Sequence, residues 1–275
     1  VFGKRLSFFF NAHNNLFQEV AKFRAARKMW ANIMKDLGAT DARAQMLRFH
    51  TQTGGSTLTA QQPFNNIVRV TIQALSAVLG GTQSLHTNGY DEALGLPSEE
   101  AARIAVRTQQ IISDESGAAD TADPLGGSYY IESLTDELEK KAQEIIAKID
   151  KMGGSVSAIE QGYMQTQISK SAYRHQQQVE SKERIIVGIN DYVMEEKSSS
   201  KVFSVEDSVG KFQIEKLRQV KSDRNQEKVS SCLKEVETAA REGKNLMPDI
   251  LNAVEHYVSL GEISLALKNV YGEYR

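Results

Sequence analysis

The sequence predicts an α/β chain. Residues 1–134 read as the C-terminal part of a TIM (β/α)8 barrel, its last three β/α units, and residues 135–275 as a mostly helical region. Three observations carry this. Strand and helix patterns alternate three times up to Ser113, which implies parallel pairing with right-handed crossovers. Beyond Thr135 helical periodicity dominates. The three strands also carry polar residues where packed barrel strands carry Val, Ile and Leu. Three units span roughly three-eighths of a barrel at ~250 residues per eight units. Three strands alone would leave two exposed edges, so the chain is expected to be cut from something longer.

The elements follow in order. Arg5 to Phe10 reads as a strand by aromatic enrichment. Residues 14–37 read as a helix, with Leu16, Val20, Phe23, Trp30, Ile33, Met34 and Leu37 at helical spacing and Gly38 as its cap. Arg24, Arg27 and Lys28 read as its solvated surface. Met46 to Thr51 is the second strand. Pro63 precedes a helix over 64–79, and Gly80-Gly81 stops it before the third strand. Pro97-Ser98 with Glu99 and Glu100 starts a helix through Ser113. The stretch 115–134, with Asp123-Pro124-Leu125-Gly126-Gly127, reads as a shaped loop. Helices are expected over 135–152, 155–169 and 170–182, then a strand-like run over 185–189. A solvated linker near 195–201 is followed by helices near 211–242, 246–258 and 261–271.

Composition narrows the function. With 275 residues, 40% hydrophobic and 25% charged, the chain has material for a core. A net charge of -2 gives no basic field for nucleic acid. No apolar run approaches ~18 residues, so no membrane span is expected. The single cysteine, Cys232, rules out an intrachain disulfide and fits a reducing, cytoplasmic setting as a buried thiol.

The strand faces carry the chemistry. Alternation places Arg5 with Ser7, and His50 with Arg48 and Gln52. In the third strand Gln83 shares a face with Leu85, and Ser84 with His86. Each unpaired inward polar group would cost about 1–3 kcal/mol. A ligand running along the strands removes that cost; a satisfied structural network is the alternative for any one strand. Arg5 suits a phosphate or carboxylate. Gly54-Gly55-Ser56 follows the second strand, at the end where barrel sites lie, and permits close backbone approach. Glu92 follows the third strand, either to accept hydrogen bonds from amides or to cap a helix. No phosphate loop, dinucleotide fingerprint or Gly-x-Ser-x-Gly is present, and the histidines lack metal-ligand spacing.

The segments Arg5-Leu6-Ser7-Phe8-Phe9, Arg48-Phe49-His50-Thr51-Gln52-Thr53-Gly54-Gly55, Gln61-Gln62-Pro63-Phe64-Asn65-Asn66, Gly80-Gly81-Thr82-Gln83-Ser84-Leu85-His86-Thr87-Asn88, Asp91-Glu92-Ala93-Leu94 and Asp123-Pro124-Leu125-Gly126-Gly127-Ser128-Tyr129 closely resemble the large chain of the methylmalonyl-CoA mutase family. The resemblance runs over essentially the whole chain. It implies a barrel threaded by the pantetheine arm of an acyl-CoA, with adenosylcobalamin across its C-terminal end and a radical rearrangement of the carbon skeleton. It places Arg5, Ser7, His50, Gln52 and Gln83 on the acyl-CoA, and Gly55, Glu92 and Gly95 on the cofactor.

The same resemblance implies what this chain lacks. The family's catalytic tyrosine, histidine and arginine fall before residue 1, so no catalytic residue and no metal ligand is assigned here. No histidine follows an aspartate by two, so the cobalt ligand is expected from a separate domain or a small cobalamin-binding subunit, in a dimer or hetero-oligomer. The chain alone is expected to be inactive. Methylmalonyl-CoA to succinyl-CoA is the default reaction. Isobutyryl-, 2-hydroxyisobutyryl- and ethylmalonyl-CoA mutases, or a non-catalytic CoA-binding barrel module, are the alternatives.

Overall fold

The computed structural model describes residues 2–195 and 206–273, which fall into two compact units, Val1–Ser204 and Val205–Arg275. From residue 196 on, the expected linker lies outside the described residues.

The first unit is mixed α/β with a small parallel sheet. Strand β1 (Phe8–Ala12) leads into α1 (Leu16–Asp36), and a short α2 (Ala42–Gln45) precedes β2 (Phe49–Thr53). Then come α3 (Asn65–Leu79), β3 (Ser84–His86) and α4 (Glu99–Asp114). The sheet order is β1-β2-β3, parallel throughout. Local signals explain the helix ends. The Asn15 side chain accepts from Gln18 N and opens α1; the Ser98 hydroxyl accepts from Ala101 N at 3.2 Å and opens α4.

The core lies between the sheet and the helices. Phe23 of α1 is fully buried against Phe49, stacked at 5.2 Å between centroids, and meets Phe10 edge-on at 5.9 Å. Gly80 makes room for it: a Cβ there would sit 2.4 Å from the Phe23 ring.

The ladder of β1 begins at Phe8, not at Arg5. Phe2–Arg5 is a 3-10 turn. The Arg48 guanidinium donates to the carbonyls of Lys4 and Leu6, the latter at 3.2 Å, and holds this segment outside the sheet. Strand alternation therefore applies from Phe8 onward and to neither Arg5 nor Ser7.

The basic residues of α1 are not a free surface. Arg24 donates to Asp123 at 3.0 Å and to Glu132 at 2.8 Å, and Lys28 pairs with Asp136 and Glu139. These pairs dock α5 (Tyr129–Lys151) along α1, within the first compact unit. Next, α6 (Ser155–Glu160) and α7 (Tyr163–Glu180) part at Gly162, which adopts a φ of 72°. The expected break at 169/170 is absent. The run over 185–189 makes a single bridge, Val187 to Asp191, and no strand. It is tied down by Arg69, which donates to the Val187 carbonyl at 2.8 Å.

The second unit contains α8 (Asp207–Asp223), α9 (Gln226–Arg241), α10 (Met247–Glu255) and α11 (Leu260–Tyr271). Its core is Val229, Cys232, Val236, Ala253, Val258 and Ile263. Cys232 is buried there, as its amphipathic setting implies. The helix expected over 211–242 is two helices, because Asn225 caps a new one through Lys228 N. At that junction Arg224, 3% exposed, forms a two-point pair with Glu262 at 2.6 and 2.7 Å. Glu262 also accepts from Ser259 in a capping box. The guanidinium first, helped by Ser259, holds the Glu262 carboxyl far below the usual carboxylate range.

A depressed carboxylate pKa stabilises the fold above the unfolded value of about 4.3, and the contribution fades as pH falls toward the folded value. Glu262→Gln leaves Arg224 buried without its counter-charge. Urea unfolding at pH 7 should show a loss of about 2–4 kcal/mol. The gap between parent and variant should narrow when the measurement is repeated near pH 3.

Candidate functional site

The helices cover one face of the sheet and leave the other open. On the covered side lie Phe49, Thr51 and Thr53, each buried. Period two then sets His50 and Gln52 on the opposite face. The register places Phe9, His50 and Ser84 in one cross-strand row and Asn11, Gln52 and His86 in the next. His50 Nδ1 lies 2.7 Å from Ser84 Oγ, and Phe9 tilts over the His50 ring at 5.0 Å. Ser7 lies just before β1 and is exposed. Arg5 lies beyond it in its turn, exposed and, among the described residues, without an ion pair.

The loops at the C-terminal ends of β2 and β3 meet above Gln52. Asn88, 2% exposed, accepts from Thr53 Oγ1 at 3.1 Å and from Gln52 Nε2 at 3.4 Å. Its backbone N–H donates to Thr53 Oγ1 at 3.0 Å. Its Nδ2 is buried and has no partner. Gly55 stands directly against it: a Cβ on Gly55 would be 2.7 Å from that nitrogen and 3.6 Å from Glu92 Oε1. Gly55 and Glu92, distant in sequence, therefore share one rim. Glu92 is exposed and does not cap α4, since Ser98 does so and Asp91 accepts from Ser98 N at 2.8 Å. Gly95 is exposed in the same turn, its N–H donating to the Asp91 carbonyl at 3.2 Å.

Gln83 lies just before β3 and is exposed. Its Oε1 accepts from Phe49 N at 2.7 Å and its Nε2 donates to the Gly81 carbonyl at 2.9 Å, so the amide ties the start of β3 to β2. The residues that strand alternation offered and sequence reasoning left unassigned are Ser84, His86 and Asn11. Asn88 gave no period-two signal because it lies in the turn.

Along the sheet these groups have an order: Arg5 and Ser7 at one end, His50 and Gln52 between, Gly55, Glu92 and Gly95 at the other. At about 3.3 Å per residue, Ser7 and Gly55 are on the order of 20 Å apart. The Gly55 rim suits a flat, amide-bearing group. Gly55 presents backbone without a side chain, and the exposed Glu92 carboxylate offers acceptor oxygens.

Fold and site define a mixed α/β segment with a small parallel sheet, one face of which is polar and uncovered by its helices. The family model for methylmalonyl-CoA mutase matches residues 1–273. The chain is 46% identical over 277 residues to the 2-hydroxyisobutanoyl-CoA mutase large subunit of Aquincola tertiaricarbonis, covering 100% of this chain and 49% of that protein. It is 44% identical over 274 residues to methylmalonyl-CoA mutase of Escherichia coli (strain K12), covering 99% and 38%. It is also 44% identical to the mitochondrial methylmalonyl-CoA mutase of Bos taurus, covering 100% and 37%. The chain belongs to the methylmalonyl-CoA mutase family, and it spans less than half the length of these relatives.

The contact between Gly55 and Asn88 is testable by a double-mutant cycle. Gly55→Ala should lower stability by about 1–3 kcal/mol, because the methyl meets a buried amide that Thr53 and Gln52 hold in place. In an Asn88→Ala background the same change should cost at least about 1 kcal/mol less. Additive losses in thermal unfolding would show that the two residues do not touch.

Proposed function

We propose that this chain is part of an adenosylcobalamin-dependent acyl-CoA mutase, an isomerase that rearranges the carbon skeleton of its substrate, with (R)-methylmalonyl-CoA to succinyl-CoA as the default reaction. In this reading β1–β3 are three consecutive strands of a (β/α)8 barrel. Their parallel order and bare polar face support it, because a closed barrel would turn that face inward. The observation that carries the reading is the axial order of the polar groups. An extended acyl-CoA needs an anion-binding end, a polar path and a distal reaction chamber, in that sequence.

Each residue then has a task. Arg5 and Ser7 hold the phosphate-bearing end of the substrate. His50 and Gln52 hydrogen-bond the extended arm. Gln83 enters at the foot of β3, where it fixes β3 against β2. Gly55 and Gly95 let the cofactor face approach the backbone, and Glu92 accepts from its amide side chains. Bound adenosylcobalamin supplies the radical chemistry. The protein's part is to orient the substrate and keep water out.

The relative named as a large subunit favours a second reading, a 2-hydroxyisobutanoyl-CoA mutase large chain with a small cobalamin-carrying partner. Among the described residues no helix is long and apolar enough to cross a membrane. A cytoplasmic setting goes with this reading, on the strength of the single buried thiol.

The intact protein containing this chain should bind adenosylcobalamin and an acyl-CoA. His50→Ala should raise the KM for acyl-CoA roughly 3–10-fold, the loss of about one hydrogen bond, with cobalamin affinity unchanged. Glu92→Ala should do the reverse. A swapped pattern, or no cobalamin binding by absorbance titration, would overturn the assignment.

A further inference from the structure

Helix α3 turns a buried polar edge toward the loops around the Gly55 rim. Asn66 and Gln73 are both 0% exposed and lie seven residues apart, on one helix face. Gln73 Oε1 accepts from Gly54 N at 2.8 Å. Its Nε2 donates to Thr57 Oγ1 at 2.6 Å and to the Asn14 side chain. Asn66 Oδ1 accepts from Thr59 N at 3.1 Å, and Asn66 Nδ2 donates to the carbonyls of Thr59 and Tyr90, both at 2.8 Å. One helix thus grips the loops after β1, β2 and β3 together.

The two amides differ in what they grip. Asn66 satisfies backbone groups further out, beyond the Gly55 turn. Gln73 binds the turn itself from beneath, at both Gly54 and Thr57, the two residues that flank Gly55 and Ser56. Gly54 N also donates to the Ala12 carbonyl at 2.7 Å, and Thr57 Oγ1 to the Gly54 carbonyl at 2.6 Å. Removing the Gln73 amide therefore strands no backbone donor at Gly54. What is lost is the fixed height of the turn relative to α3 and to Asn14. A fully buried carboxamide with all its partners on loops is a costly way to fill core volume and an effective way to set loop position.

We propose that Gln73 is a positioning residue: it holds the Gly54–Thr57 turn at the height from which Gly55 meets the cofactor face, and so tunes cofactor affinity without touching the cofactor. This rests on the adenosylcobalamin reading above. Gln73→Leu removes the amide at similar volume.

The test uses the intact protein, read by adenosylcobalamin titration, acyl-CoA KM, and hydrogen exchange of the 54–57 backbone without ligand. In Gln73→Leu, exchange at 54–57 should accelerate and the cobalamin Kd should rise about tenfold, with acyl-CoA KM within about twofold. Unchanged Kd, or Kd and KM rising together alongside a lower melting temperature, would reduce Gln73 to a structural residue and overturn the proposal. If Gln73→Leu does not fold, the exposed Asn14→Ala is read instead: a higher Kd with faster exchange supports the proposal, and an unchanged Kd overturns it. A parent that binds no cobalamin defeats the functional reading on which the proposal rests. Unchanged 54–57 exchange in Gln73→Leu defeats the positioning role alone.

Discussion

Phe23 decides which side of the sheet is inside. Its ring stacks on Phe49 and meets Phe10 edge-on, and Gly80 clears the space it needs. Burying one such ring is worth about 1.5–3 kcal/mol, with roughly 0.5–1.5 more for each aromatic pair. Because strand side chains alternate, an inward Phe49 forces His50 and Gln52 outward, and an inward Phe10 forces Phe9 and Asn11 outward. A slip of one residue would bury two polar rows under α1 and α3. The aromatic wedge thus fixes the polar face that the functional reading depends on.

The strand ends are held by a second device. Thr53 and Asn88 exchange hydrogen bonds between β2 and the turn after β3, while α3 holds the loops from below. The rim at Gly55 can therefore lack a side chain without losing shape. Its rigidity comes from buried partners and its openness from the missing Cβ. Asn88 Nδ2 is the one buried donor in this network without a partner.

Much of this was legible in residue order. Alternation in Phe49-His50-Thr51-Gln52 gave the correct face assignment for β2, and Ser98 with two following glutamates gave the start of α4. Other features depend on partners far away in sequence. Arg5 looks like a strand residue until Arg48 is seen holding the carbonyls on either side of it. Gln83 looks like a face residue in so short a strand, yet its amide is spent on Phe49 N. Arg24 and Lys28 read as a solvated face because their carboxylates lie about a hundred residues on, in and before α5. The meeting of Gly55 with Asn88 and Glu92 is likewise a product of the parallel register, and no local pattern announces it.

The central claim is that the bare polar face of the sheet is the side that meets the substrate. Cysteine labelling of the intact protein, read by mass spectrometry of the peptide that carries each introduced thiol, tests it directly, and Cys232 of this chain is buried. Ser84→Cys places a thiol on that face, and Ser171→Cys places one on the exposed surface of α7. Saturating acyl-CoA should slow alkylation at position 84 by roughly tenfold and leave position 171 unchanged. Equal rates with and without acyl-CoA at position 84 would contradict the account.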